Sequence, residues 1–194
     1  MKRLILTPLL AAFYITCLQS QPTFGTKSFI DNEKGSLSIY SEKGKAGMLI
    51  SSSDWPGVKR AFTDLQSDIE KVTSYKPALS EDKIPKGKEL IVAGTIGKSS
   101  LIDELITRKK IDVSDVSGKW ETFVIQVVEK PFRGVSSALV IAGSDKRGTI
   151  YGIYEVSRQI GVSPWHFWAD VPVKHSNSLI VTDGRFVQRE PSVK

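Results

Sequence analysis

Two short apolar segments each run into a turn that begins with glycine and then into an amphipathic helix, and this arrangement constrains the fold most. The first segment, residues 90–93, enters the turn 94–97, and the second, residues 138–142, enters the turn 143–148. Strands separated by helices favour parallel neighbours in one sheet. The two turns then form one edge rich in N–H donors if both lie at the same end of parallel strands.

A longer helix is predicted upstream of these segments. Its apolar positions recur at spacings of four, three, four and three, which is one face of an amphipathic helix: Val58, Phe62, Leu65, Ile69 and Val72. Ser53 or Asp54 offers an N-cap, and Pro56 falls in the first turn. The opposite face is polar and carries Lys59, Asp64, Asp68 and Lys71.

The remaining strand-like runs complete the predicted order β-β-α-β-α-β-β-α-β. They lie at residues 36–40, 48–51, 122–128 and 179–182, and the Pro- and Lys-rich stretch 76–88 is predicted to be a loop. Because adjacent strands favour hairpins and strand–helix–strand units favour parallel pairs, we expect an α/β (α+β) fold: a mixed β-sheet with helices packed on it.

The N-terminus has the layout of a secretory signal peptide. Lys2 and Arg3 precede an apolar stretch, residues 4–18, and Ser20 is a small residue at a plausible cleavage point. We therefore expect residues 1–20 to direct export to the periplasm or beyond the cell, with a lipid anchor at Cys17 as the alternative. Without them the net charge falls from +6 to +4, and no cysteine remains. No later apolar run is long enough to span a membrane.

Two charged or glycine-rich turns suggest anion binding, each with a simpler explanation. The sequence of residues 94–99, GTIGKS, resembles a phosphate loop, but it has two residues between its glycines where such a loop needs four, so a tight turn is the better interpretation. Lys146 and Arg147 lie at a helix start, where cations oppose the helix dipole. They either extend into water or face an anionic group, such as a uronate carboxylate or an acidic neighbouring domain.

The most distinctive segment, residues 163–173, places Trp165, Phe167 and Trp168 within four positions. Such aromatics pack against the domain or an adjoining one, and the alternative is stacking on sugar rings. His166 and His175 are the only histidines, and without a thiol they make a poor metal site, so no metal or cofactor is expected. A nucleic-acid partner is not expected either, because no basic stripe with interleaved aromatics occurs.

Nothing in the sequence identifies catalytic residues. Glycoside hydrolysis normally needs two carboxylates that face each other across the scissile bond. Asp145, Glu155, Asp170 and Asp183 qualify by residue type, but their spacing does not select a pair.

Several stretches together resemble glycoside hydrolase family 115, the xylan α-1,2-glucuronidases. The specific block is residues 142–154, 159–165 and 168–173, and the similarity extends upstream through 91–99 and 54–57. The resemblance implies an α/β domain similar to the accessory domain that precedes the barrel in β-hexosaminidases and other α-glucuronidases. It also implies a (β/α)₈ catalytic domain in the same chain, which removes glucuronic or 4-O-methylglucuronic acid from glucuronoxylan.

The resemblance also implies a division of this chain. We expect a signal peptide at 1–20, a flexible lead-in at 21–35, the accessory domain at 36–183, and the start of a linker to an absent barrel at 184–194. A barrel takes about 250 residues, so we expect no catalytic residue and no activity from this chain alone. The expected substrate-binding residues are Lys146, Arg147, Trp165 and Trp168. The alternative function is a stand-alone carbohydrate-binding or docking module.

Overall fold

The computed structural model describes residues 28–31, 33–166 and 168–191. Within these residues there are three helices, α1 (Pro56–Thr73), α2 (Ser100–Thr107) and α3 (Lys146–Gln159). The strands are β1 (Ile30–Asp31), β2 (Leu37–Tyr40), β3 (Gly47–Ile50), β4 (Leu79–Glu81), β5 (Glu89–Thr95), β6 (Phe123–Glu129), β7 (Ser137–Gly143), β8 (Leu179–Val181) and β9 (Arg185–Gln188).

The strands form a six-stranded mixed sheet and a separate three-stranded sheet. The larger sheet has the order β4-β3-β5-β7-β6-β9, and its first four strands are parallel to one another. β6 is antiparallel to β7, and β9 is antiparallel to β6. The smaller sheet, β1-β8-β2, is antiparallel. The expected α/β fold with a mixed sheet is confirmed, although the structure places β2 and β8 in a second sheet.

The central strands are apolar on both faces because helices or loops cover both. Ile91 and Ile141 point to a core that also holds the predicted apolar face of α1, together with α3 and the small sheet. Val92 and Val140, one position along each strand, point to a second core beneath α2. This alternation follows from the two-residue period of a strand. The sheet is therefore the middle layer between α1 and α3 on one side and α2 on the other.

Helix α1 begins one residue later than the sequence indicated, and neither predicted cap residue holds that place. Trp55 is the N-cap, its side chain makes no capping bond, and Pro56 starts the helix. Asp54 instead accepts hydrogen bonds from the end of β5, and the Ser53 hydroxyl donates to the carbonyl of Lys98. These contacts between the β3–α1 loop and β5 take the polar side chains away from the helix N–H groups.

Helix α3 begins and ends as its sequence dictates. The Asp145 carboxylate caps it by accepting from the Gly148 N–H at 2.7 Å. Gly148 is required there, since a Cβ would overlap the main-chain oxygen of Thr122. At the other end Gly161 takes a φ of 104°, the left-handed region that favours glycine, and this confirms its predicted place after the helix.

Three short strands were not predicted. β4 lies within the expected loop 76–88, β1 lies in the expected lead-in, and β9 lies in the expected linker. Each has two to four residues that are half-buried or exposed, so none shows a clear apolar alternation. Nevertheless β9 pairs with β6 in four registered positions, so the folded part extends past residue 183.

The predicted signal peptide, Cys17 and Phe167 lie outside the described residues. Among the residues that the structure does describe, no helix has the length and apolarity needed to cross a membrane.

Candidate functional site

The two glycine turns meet at the carboxyl edge of the parallel strands. β5 and β7 are neighbours, with Thr95 opposite Gly143, and the Ile96 N–H donates to the Gly143 carbonyl at 2.9 Å. Both turns therefore lie side by side, as the sequence predicted for parallel strands. This edge is where open α/β sheets commonly bind ligands.

The protein's own carboxylates occupy donors at this edge. Asp54 is buried and accepts from the Thr95 N–H at 2.8 Å, the Thr95 hydroxyl at 2.9 Å and the Trp55 N–H at 2.7 Å. The Thr95 hydroxyl lies 2.9 Å from that of Thr149, which donates to the main-chain oxygen of Asp145. This chain of contacts, the Asp54 network, joins the β3–α1 loop, β5 and α3.

The turn 94–99 uses its N–H groups internally as well. The Lys98 and Ser99 N–H groups both donate to the Thr95 carbonyl, and the Gly97 N–H donates to Asp103 Oδ1 at 2.8 Å. A phosphate loop needs such groups free to wrap a phosphate. The observed geometry is thus that of a tight strand-to-helix turn.

Lys146 lies beside this edge, on a shallow depression of about 420 Å³ that it shares with Trp55 and Lys98. Lys146 is exposed, and Lys98 Nζ lies 4.8 Å from the centre of the Trp55 ring, a cation–π contact. Two ammonium groups therefore flank the depression.

Arg147 is held by its own domain. Its Nε lies 2.6 Å from Oε1 of Glu121, a buried carboxylate, and its guanidinium donates to the Tyr151 hydroxyl at 3.1 Å. The Glu121 contact is an ion pair without the alignment of a hydrogen bond. The hydrogen bond with Tyr151, and next the charge of Glu121, raise the pKa of Arg147. The anion beside this arginine is therefore internal.

The two predicted tryptophans are on the surface beyond the end of α3. Trp165 is 65% exposed and Trp168 is 84% exposed, so neither packs into the domain. Nδ1 of His166, between them, lies 2.8 Å from the carbonyl of Val171. Among the described residues no three His, Cys, Asp or Glu side chains come together as a metal site.

Trp168 borders a groove of about 790 Å³ between α1 and α3. We call it the α1–α3 groove and define it by six of its lining residues, Arg60, Asp64, Asp68, Tyr154, Ser157 and Trp168. The Tyr154 hydroxyl donates to Asp64 Oδ2 at 3.0 Å, which ties the two helices together. Partial burial, and next this hydrogen bond, raise the pKa of Tyr154.

The structure does not bring the four predicted binding residues together. Lys146 and Arg147 are at the first turn of α3, whereas Trp165 and Trp168 follow its last turn. A helix of 14 residues is about 20 Å long. The two pairs are therefore separate features, and one sugar ring does not reach both.

The four carboxylates considered for hydrolysis have separate places too. Asp145 caps α3, and Glu155 pairs with Arg158 further along the same helix. Their separation along the helix axis is about 15 Å, beyond the spacing of a glycosidase pair. Asp170 and Asp183 are exposed in segments that follow the helix.

Comparison with solved structures gives the decisive match. The chain superposes on BtGH115A, a family GH115 4-O-methyl-alpha-glucuronidase with specificity for decorated arabinogalactans, with a TM-score of 0.64. The sequence identity is 33%, over 79% of this chain. The resemblance to glycoside hydrolase family 115 is confirmed. The chain is thus a domain related to GH115 enzymes, and it spans 18% of the length of BtGH115A.

Other comparisons add little to the GH115 match. CpGH84D matches with a TM-score of 0.45 and 11% identity, covering 79% of this chain and 22% of its own. No family model and no curated protein sequence matches the chain.

The main features that sequence reasoning missed are the Asp54 network and the α1–α3 groove. Asp54 was interpreted as a cap, and Asp68 was placed on the solvated face of α1, yet Asp68 is only 6% exposed. The available signal was the position of Asp54 in the short loop that follows a predicted strand, where side chains meet at the sheet edge. No local pattern distinguishes Asp68 from its exposed neighbours, since its burial depends on α3.

Proposed function

We propose that this chain is the accessory domain of an exported α-glucuronidase and is inactive by itself. The observation that carries the proposal is the match to BtGH115A at 33% identity. A second support is the carboxyl edge of the sheet, where Asp54 and Asp145 accept hydrogen bonds from main-chain N–H groups that a ligand would need. In this proposal a (β/α)₈ domain of the same polypeptide carries the reaction.

The proposed reaction is removal of glucuronic or 4-O-methylglucuronic acid from a decorated polysaccharide. The sequence resemblance suggests glucuronoxylan, whereas BtGH115A is described as specific for decorated arabinogalactans. The two differ in the backbone that carries the uronic acid. Both polysaccharides are therefore candidate substrates, and we rank glucuronoxylan first because the resemblance to the xylan enzymes rests on several stretches of this sequence.

The test uses antibodies against the folded chain to isolate the native protein from the medium or periplasm of its source. The isolated protein should release uronic acid from glucuronoxylan or arabinogalactan, and its N-terminus should lie near residue 21. The recombinant 194-residue chain is the control and should release none. Native protein without this activity on either polysaccharide would overturn the proposal.

A second candidate function is a stand-alone carbohydrate-binding module. The exposed Trp165 and Trp168 favour it, because exposed aromatic rings stack on sugars. Affinity electrophoresis of the chain in gels containing glucuronoxylan or arabinogalactan provides the test. Retarded migration, combined with native protein that releases no uronic acid, would favour this function over the first.

A further inference from the structure

We infer that the α1–α3 groove binds a neutral sugar unit of a polysaccharide backbone. The groove is distinct from the carboxyl edge of the sheet, since its members come from the polar side of α1, the second half of α3 and the segment after it. At about 790 Å³ it has the volume of a small-molecule site. The choice of polysaccharide rests on the proposed function, whereas the binding itself rests on the groove.

An unpartnered hydroxyl in the groove wall points to a ligand. Ser157 is 4% exposed and lines the groove, and its Oγ has no hydrogen-bond partner among the described residues. A buried polar group without a partner destabilises the folded state. Because this Oγ is closed off from solvent, a neighbouring side chain of the groove must shift before a sugar hydroxyl can supply the missing partner.

The charges of the groove fit a neutral ligand better than a uronate. Asp68 is buried and pairs with Lys71 at 3.1 Å, and Asp64 pairs with Arg60 at 3.2 Å. The charges of these two cations and two carboxylates sum to zero, and each cation is already paired with a carboxylate of the domain. Carboxylate oxygens accept hydrogen bonds from sugar hydroxyls, but they repel a carboxylate on a ligand.

Trp168 supplies the apolar surface that sugar binding also needs. Its ring is 84% exposed at the rim of the groove, so it is available to stack on the apolar face of a pyranose. The groove thus presents an aromatic platform and paired carboxylates on one concave surface, with one unpartnered hydroxyl buried in its wall.

The inference is tested by titrating the full chain with xylohexaose and with a galactan hexasaccharide, using calorimetry and tryptophan fluorescence. At least one neutral hexasaccharide should bind. Trp168→Ala should weaken binding about tenfold or more, corresponding to about 1.4 kcal/mol. Ile84→Ala is the control, since Ile84 is an exposed apolar side chain outside the groove, and it should leave the affinity unchanged.

Ser157→Ala separates a binding role from a structural one. Because it removes an unpaired buried hydroxyl, it should leave the thermal midpoint unchanged or raise it, while the affinity for the hexasaccharide falls. A variant that binds as well as the parent would contradict the role of this hydroxyl. A lower thermal midpoint would show that Ser157 already has an internal function.

Several results would overturn the inference. They are the absence of binding to either neutral hexasaccharide, equal losses of affinity in the Trp168→Ala and Ile84→Ala variants, or tighter binding of a uronate-bearing oligosaccharide. Dispersal of a dimer by Trp168→Ala, seen by light scattering, would make the groove a self-association surface instead. If no hexasaccharide binds but the native protein releases uronic acid, the groove inference fails and the proposed function stands. If a hexasaccharide binds but the native protein releases no uronic acid, the proposed function fails and the groove inference stands.

Discussion

Replacing Asp54 should destabilise the domain more than any exposed carboxylate does, because Asp54 connects three elements. Its side chain is 4% exposed and accepts two main-chain N–H groups and one hydroxyl. In Asp54→Ala the buried Thr95 N–H is left without a partner, at about 1–3 kcal/mol, and the hydrogen bond that it made to the charged carboxylate is worth about 1.5–3 kcal/mol. The Thr95 hydroxyl keeps its contact with Thr149.

We therefore expect Asp54→Ala to lower the free energy of unfolding by about 3–5 kcal/mol, a large share of the 5–15 kcal/mol typical of a domain. The stability of Asp54→Asn should lie between those of the parent and Asp54→Ala. Its amide oxygen keeps two of the contacts, whereas its NH₂ group faces the Thr95 N–H, and two donors cannot pair. Urea unfolding followed by circular dichroism measures both. Asp183→Ala, at an exposed carboxylate, is the control and should stay within about 0.5 kcal/mol of the parent.

The account of Asp54 would be refuted by an Asp54→Ala variant that loses less than about 1 kcal/mol, or that matches Asp183→Ala. A lower free energy of unfolding that arises only from a changed dependence on urea concentration would also count against it. That dependence reports the surface exposed on unfolding and not the Asp54 contacts.

Three further predictions concern helices α1 and α3. Gly148→Ala should cost about 3 kcal/mol, since its Cβ would overlap the main-chain oxygen of Thr122, whereas Gly57→Ala, with 3.5 Å to its nearest neighbour, should be neutral or stabilising in urea unfolding. Arg147→Ala leaves the buried Glu121 carboxylate unpaired and should lower the thermal midpoint. Because the pKa of Tyr154 is raised in the folded state, this residue stabilises the domain below pH about 10, and the contribution is lost as the pH rises through the folded pKa. The difference between the absorbance titrations of the parent and of Tyr154→Phe should show one phenol that ionises late. Ionisation of this phenol at the ordinary tyrosine pKa would contradict the prediction.

Local patterns were sufficient for the elements whose burial is local. The apolar spacing of α1 predicted five residues that are all fully buried, and the apolar runs of β5 and β7 predicted the centre of the sheet. β4 and β9 were missed because an edge strand with half-exposed side chains has no distinct period, and its pairing partner is distant in sequence.

Site residues were harder to predict because their roles depend on partners far along the chain. Arg147 was expected in water or facing an external anion, yet its partner is Glu121, 26 positions upstream and buried by the fold. Ser157 belongs to the α1–α3 groove only because α3 packs beside α1. No spacing in the sequence encodes either relationship. The exposure of Trp165 and Trp168 excludes packing within this domain, and it fits both contact with an adjoining domain and stacking on sugars.

The distribution of polar groups over this fold supports the accessory role that we propose for a sheet with a ligand-binding architecture. Open α/β sheets bind ligands at the carboxyl ends of their strands, where helix N-termini supply donors. Here Asp145 accepts from the first turn of α3 and Asp54 accepts from the Thr95 N–H at the end of β5, so part of this donor-rich edge is already occupied. The unpartnered Ser157 hydroxyl and the exposed Trp168 ring lie instead along α3 and beyond its end. That placement suits a domain that holds a polysaccharide chain while another domain performs the chemistry.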